Sequence, residues 1–154
     1  MENKMKEYQA IIETPEGDNR RRHFDKKQNK VVDLQPLEEV IPVNNGIAPV
    51  NYGFIKNTHC DVDGDEIDLL LLSENKYKVG EAAEIIPIAL IKRADGDDKI
   101  VGVDKATISK YKEWQDVPKE KRNLIEKFFS YHFKFISIEN SIKAEEYLKE
   151  HKIK

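Results

Sequence analysis

Apolar and polar positions alternate with a period of two through the first two thirds of the chain, then shift to a helical period. Runs that read as strands fall at 8–13, 20–25, 31–34, 47–56, 67–72, 81–93 and 100–103. Turn formers such as Thr14-Pro15-Glu16-Gly17 and Asn44-Asn45-Gly46 separate them, while 26–30 reads as a hairpin connection and 35–46 as loop. Beyond Val103 the spacing changes. Asp104 or Thr107 is placed to cap a short helix carrying Ile108 and Tyr111, and Asp116 with Pro118 resembles a helix start. Leu124, Ile125, Phe128, Phe129 and His132 then recur on one helical face, and Ser141 opens a last helix to about residue 151 with Ala144, Tyr147 and Leu148 inward. The pattern predicts a mainly β chain with flanking helices, a barrel or sandwich. There is no internal repeat, low-complexity tract or linker, so residues 1–154 read as one domain.

Composition narrows the class without naming a function. Of 154 residues, 36% are charged and 39% apolar, and the formal net charge of −3 leaves no electrostatic footprint for nucleic acid. Residues 1–10 contain no apolar core of a secretory signal. The longest apolar run, 85–91, is too short to span a membrane and contains Pro87. A single cysteine, Cys60, cannot close an intramolecular disulfide and agrees with a reducing cytoplasm.

The densest chemistry lies in Asp61-Val62-Asp63-Gly64-Asp65-Glu66-Ile67-Asp68, ahead of four leucines. So many carboxylates read either as a solvated acidic turn or as hard oxygen ligands for a divalent cation such as Mg²⁺. Gly64 permits a tight bend, and Asp68 falls inside a strand pattern, where a charge is costly to bury unless paired. An EF-hand is excluded. From Asp61 the sixth and twelfth residues are Glu66 and Leu72, and from Asp63 they are Asp68 and Glu74, so the required glycine is missing. A second acidic turn, Asp95-Gly96-Asp97-Asp98-Lys99, is a hairpin tip or a partner for the first. Three arginines, Arg20, Arg21 and Arg22, form either a solvated edge strand or an anion clamp. Tyr52 and His132 read first as packed residues. His59-Cys60 lacks partners at zinc-site spacing.

The stretch Asp63-Gly64-Asp65-Glu66-Ile67-Asp68-Leu69 resembles the signature of the soluble family I inorganic pyrophosphatases. Four further segments match in the family's order. They are Ile11-Ile12-Glu13-Thr14-Pro15, Pro49-Val50-Asn51-Tyr52-Gly53-Phe54-Ile55, the loop Asp95 to Lys99, and Phe128-Phe129 followed by Lys134. The resemblance implies an OB-like β-barrel packed by two or three helices, often a homo-oligomer and in bacteria a hexamer. It implies Mg²⁺-dependent hydrolysis of pyrophosphate to two phosphates, with several ions per site. On that pattern Asp63, Asp68 and Asp97 hold the metal pair, Glu13 and Asp95 help bind further ions, and Asp65 is the general base. Arg21, Tyr52, Lys99 and Lys134 contact phosphate groups.

The departures fall on the phosphate side. Arg21 and His23 stand where the family carries lysine and glutamate, and residues 34–40 supply no basic residue where it carries arginine. Ala48 and Phe133 replace tyrosines, and the loop after Lys134 looks shortened to 135–138. Arg20, Arg21 and Arg22 are expected to compensate in part. The alternatives are a related phosphohydrolase for a larger phosphoanhydride or phosphate ester, and a non-catalytic metal- or phosphate-binding relative.

Overall fold

The computed structural model describes residues 7–60, 62 and 64–153. Eight strands form: β1 Tyr8–Thr14, β2 Arg20–Asp25, β3 Lys30–Pro36, β4 Asn51–Ile55, β5 Ile67–Leu72, β6 Ala82–Arg93, β7 Lys99–Val103 and β8 Phe135–Glu139. Two helices follow the barrel strands, α1 Lys119–Phe129 and α2 Ser141–Glu150. The main sheet runs β1-β4-β5-β7-β6, and a further β1–β6 pairing closes it into a ring, with β8 added on the far part of β6. Closure removes the free edges that an open sheet would expose. The expected OB-like barrel with flanking helices is the fold observed. β2 and β3 pair only with each other, as a hairpin wing.

The four leucines of β5 show how sequence sets this arrangement. Leu69 and Leu71 join one apolar cluster with Ile12, Ile85, Ile100 and Leu148. Leu70 and Leu72 join another with Ile88, Val101, Trp114, Ile125 and Phe128. A strand covered on both faces needs a continuous apolar run. By the same parity Asp68 lies on the side of Leu70 and Leu72, facing the end of α1.

Several local expectations are corrected. Residues 47–50 are not strand, because their backbone serves a turn: the Gly17 N–H donates to Ala48 O and the Ala48 N–H to Asp18 O, each at 2.9 Å. Residues 105–110 form turns, not a helix. Asp104 anchors that loop by accepting from Ser73, from Tyr77 at 2.7 Å, from Asn75 at 3.2 Å and from Thr107 at 2.6 Å. Asp116 closes a short 3-10 turn, and α1 starts after Pro118. His132 lies past the end of α1. Asn140, not Ser141, caps α2 by accepting from the Lys143 N–H, while the Ser141 hydroxyl donates to Glu113 Oε2 at 2.6 Å. Residues 135–138 belong to strand β8, not to a loop.

Candidate active site

One cavity of about 370 Å³ opens where β1, β2, β4, β5, β6 and β7 meet the end of α1. Glu13, Arg21, Tyr52, Asp65, Asp68, Asp97 and Lys99 all line it, so most of the candidate residues share one space. Lys134 does not; it is exposed, and its carbonyl accepts from the Ala94 N–H at 2.9 Å. Asp95 stands behind the lining, held by Arg93. Asp61 and Asp63 fall outside the described residues.

The parallel pairing of β5 and β7 sets Asp68 opposite Lys99. Lys99 is 3% exposed, and its Nζ lies 2.8 Å from Asp68 Oδ2, 3.5 Å from Asp97 Oδ2 and 3.0 Å from the Tyr52 hydroxyl. Burial opposes the ammonium charge, but Tyr52, Asp68 and Asp97 outweigh it and hold the pKa above the ordinary lysine value. Burial, and after it Asp68, keeps the Tyr52 phenol protonated, with a raised pKa. The Tyr52 ring stacks on Phe129 at 5.5 Å, which fixes its direction. Tyr52 is therefore both packed and in the cavity.

Glu13 reaches across from β1 to the hairpin wing. A bulge between Ile12 and Thr14 shifts the register there, and Oε2 of Glu13 accepts the Phe24 N–H at 2.7 Å with His23 Nδ1 at 3.3 Å. Its pKa is raised to about 7: burial contributes most, the Phe24 N–H opposes it, and Asp68, Glu66 and Asp65 add to the rise. Asp65 is solvent-exposed, at the mouth.

The three arginines divide their work. Arg20 pairs with Asp33 at 2.9 Å, away from the cavity lining. Arg22 lines the cavity but is tied to Asp18 at 2.8 Å. Arg21 is more exposed, and its Nη1 donates to the neutral amide oxygen of Gln35 at 3.2 Å. Arg93, which strand patterning leaves as the last residue of β6, is the site residue missed. Its Nη2 lies 2.5 Å from Asp95 Oδ2 and 3.4 Å from Asp97 Oδ2. A signal for it exists. Arg93 shares strand parity with buried Ile91, and two residues later the acidic turn begins. His132, which helical spacing places on the face of α1, lines the cavity instead, with Nε2 2.7 Å from Val40 O. Cys60 is buried, and its Sγ stands 3.8 Å from Asp97 Oδ1.

Hard oxygen donors dominate the site, as a Mg²⁺-like cation requires. Among the described residues no three carboxylate, imidazole or thiolate groups converge as a ready metal cage. Instead Lys99 and Arg93 stand between the carboxylates and neutralise them. Burial is the main cause of the elevated Glu13 pKa, and Asp68, Glu66 and Asp65 add to it. The donor chemistry fits divalent metal.

The family described as inorganic pyrophosphatase matches residues 10–153. The inorganic pyrophosphatase of Leifsonia xyli is 32% identical over 149 residues, covering 88% of this chain and 85% of the relative. That of Neisseria meningitidis serogroup B is 33% identical over 142 residues, covering 88% and 76%. The crystal structure of inorganic pyrophosphatase from Ehrlichia chaffeensis superposes with a TM-score of 0.83 at 27% identity, over 97% of this chain and 96% of that one.

Proposed function

The chain belongs to the soluble inorganic pyrophosphatase family, and from that premise we propose how its own residues carry out the reaction. The protein is an inorganic diphosphatase: it hydrolyses pyrophosphate to two phosphates. The family is metal-dependent, and we read the metal here as Mg²⁺ with Asp63, Asp68 and Asp97 as its principal holders, and Glu13 and Asp95 as helpers. Bound metal supplies Lewis acidity to water and to the phosphoryl oxygens.

Asp65 is the general base. It takes the proton of the attacking water as the new P–O bond forms and the bridging P–O bond breaks. Its place at the cavity mouth, beside the strand that carries Asp68, supports this role. Lys99 and the Tyr52 hydroxyl supply paired donors from the cavity floor, and Arg21 supplies a fork from the wing. Lys134 lies outside the cavity lining, so a phosphate contact from it requires the segment after α1 to move inward. The observation that carries the reading is the single cavity shared by the carboxylates, Lys99, Tyr52 and Arg21. Assembly into a homo-oligomer belongs to the same reading. It is supported by outer strand β8, where Ile136 is 66% exposed, and solution mass against the 17.9 kDa monomer decides it. The single cysteine of the sequence, buried Cys60, supports a cytoplasmic setting.

Phosphate release from pyrophosphate with Mg²⁺, for wild type and Asp65→Asn, tests the assignment. The variant is expected to lose about 10²–10⁴-fold in kcat while still binding the metal. Equal turnover by both proteins removes Asp65 from the role of base. Release from larger phosphoanhydrides or phosphate esters, but not from pyrophosphate, would shift the assignment to the related phosphohydrolase.

A further inference from the structure

Arg93 is a cavity cation to which the mechanism above assigns no part. Its side chain is only 13% exposed. Nε donates to Asp95 Oδ1 at 3.0 Å, Nη2 donates to Asp95 Oδ2 at 2.5 Å and to Asp97 Oδ2 at 3.4 Å, and Nη1 reaches the Phe129 carbonyl at 3.5 Å. The Phe133 ring lies over it at 5.5 Å. The two shortest of these bonds grip Asp95 and a longer one reaches Asp97, the two carboxylates of the second acidic loop assigned above to metal. Arg93 also lines the cavity together with Arg21, Arg22 and Lys99.

A carboxylate oxygen that accepts from a guanidinium is not at the same time a good ligand for a hard cation. The two positive charges also repel across the short distance that a shared carboxylate imposes. Binding metal at Asp95 and Asp97 therefore costs the loss of a bidentate, charge-assisted pair. The cost falls if the guanidinium has a second anion to hold. A phosphate group in the cavity is such an anion, and its geometry suits the fork.

We propose that Arg93 couples metal binding to phosphate binding: it holds Asp95 and Asp97 while the cavity contains no anion, and turns onto a phosphate oxygen when metal takes those carboxylates. The inference rests on the metal-dependent phosphohydrolase reading above and adds an order to it. Metal binds weakly to the empty site and strongly once phosphate is present. Phe133 serves as the face along which the guanidinium turns, a role that needs no hydroxyl. By linkage, whatever metal affinity phosphate adds, metal adds equally to phosphate affinity.

The test is calorimetric titration of the whole protein with Mn²⁺, with and without inorganic phosphate, for wild type, Arg93→Met and Arg93→Lys. None of these measurements requires turnover. Without phosphate, Arg93→Met is expected to bind Mn²⁺ at least about fivefold more tightly than wild type, and phosphate is expected to enhance its metal affinity less than it does in wild type. Arg93→Lys keeps a charge but cannot fork over Asp95, so it should fall between the two, and it stands in if the Met variant does not fold. Equal Mn²⁺ affinity for wild type and the variants in the absence of phosphate overturns the coupling and leaves the hydrolase reading intact. No Mn²⁺ binding by wild type under either condition overturns both.

Discussion

With 4% of its surface exposed and Asp68, Glu66 and Asp65 nearby, Glu13 holds its proton more tightly in the folded chain than in the unfolded one, where its pKa returns to about 4.5. A carboxyl whose folded pKa is raised contributes stability below the unfolded value. That contribution is lost as pH rises through the folded value of about 7. Metal-free protein should therefore weaken between about pH 4.5 and 7 on account of this group. Glu13→Gln cannot ionise, and its amide oxygen can still accept the Phe24 N–H. In chelator at pH 8 the variant is expected to be more stable than wild type by about 1–3 kcal/mol, with the gap closing toward pH 5. Adding Mg²⁺ should reverse the order at pH 8, since only the carboxylate gains a cation. Urea denaturation at the two pH values, with and without metal, reads this directly. A variant no more stable than wild type in chelator at pH 8 would mean that Glu13 is not held near neutrality.

The hairpin of β2 and β3 is the element on which the phosphate side depends most, because it supplies Arg21 to the cavity from outside the ring. The bulge opposite Arg21 and Arg22 puts its extra residue, Leu34, on β3, so β2 keeps its alternation, with Arg21 more exposed than Arg22, and both still line the cavity. Arg20 does not. Arg21→Ala is expected to raise KM for pyrophosphate about tenfold or more, the size of one lost charge-assisted contact. Arg20→Ala should leave KM within about twofold, since its partner Asp33 is about two-fifths exposed and such pairs contribute little. Steady-state kinetics on the two variants separates them, and equal KM changes would refute the division. The ring strands were legible because they are buried on defined faces, β5 most of all, while β2 and β3, which bury no residue fully, were legible from the turn residues around them. That Glu13, Asp68, Asp97 and Lys99 share one cavity was legible from the acidic turns together with the family resemblance. Residues 47–50 and 105–110 were not. Their apolar and capping residues look regular, yet turn bonds to Gly17 and Asp18, and the hydrogen bonds that Asp104 accepts, take the backbone elsewhere. Arg93 was hidden because its role arises from Asp95 and Asp97 folding back over the end of its own strand.

At the scale of the molecule, the site exists because the ring closes. β1 lies between β4 and β6, pairing Ile12 with Gly53 on one side and Tyr8 with Ile85 on the other. Glu13 on β1 and Tyr52 on β4 face one cavity only while those two strands stay in register. Gly53 is the point of closest approach. A Cβ there would lie 2.0 Å from the Ile11 carbonyl oxygen, 2.9 Å from its carbon and 3.0 Å from Ile12 Cα. All three are backbone atoms of the paired strand, so no rotamer change relieves the contact; the strands must separate. Separation would also strain the β1–β6 seam, because a closed sheet has no free edge to absorb the shift. Gly53→Ala is therefore expected to lose about 3 kcal/mol or more of stability, at the upper end for overpacking, where an alanine at an ordinary strand position changes little. In urea its unfolding midpoint should fall sharply. Any folded fraction should bind pyrophosphate poorly, because Glu13 and Tyr52 move apart with the strands that carry them. A Gly53→Ala protein with wild-type stability would mean that β1 and β4 can separate without opening the ring, and the dependence of the site on closure would fail with it.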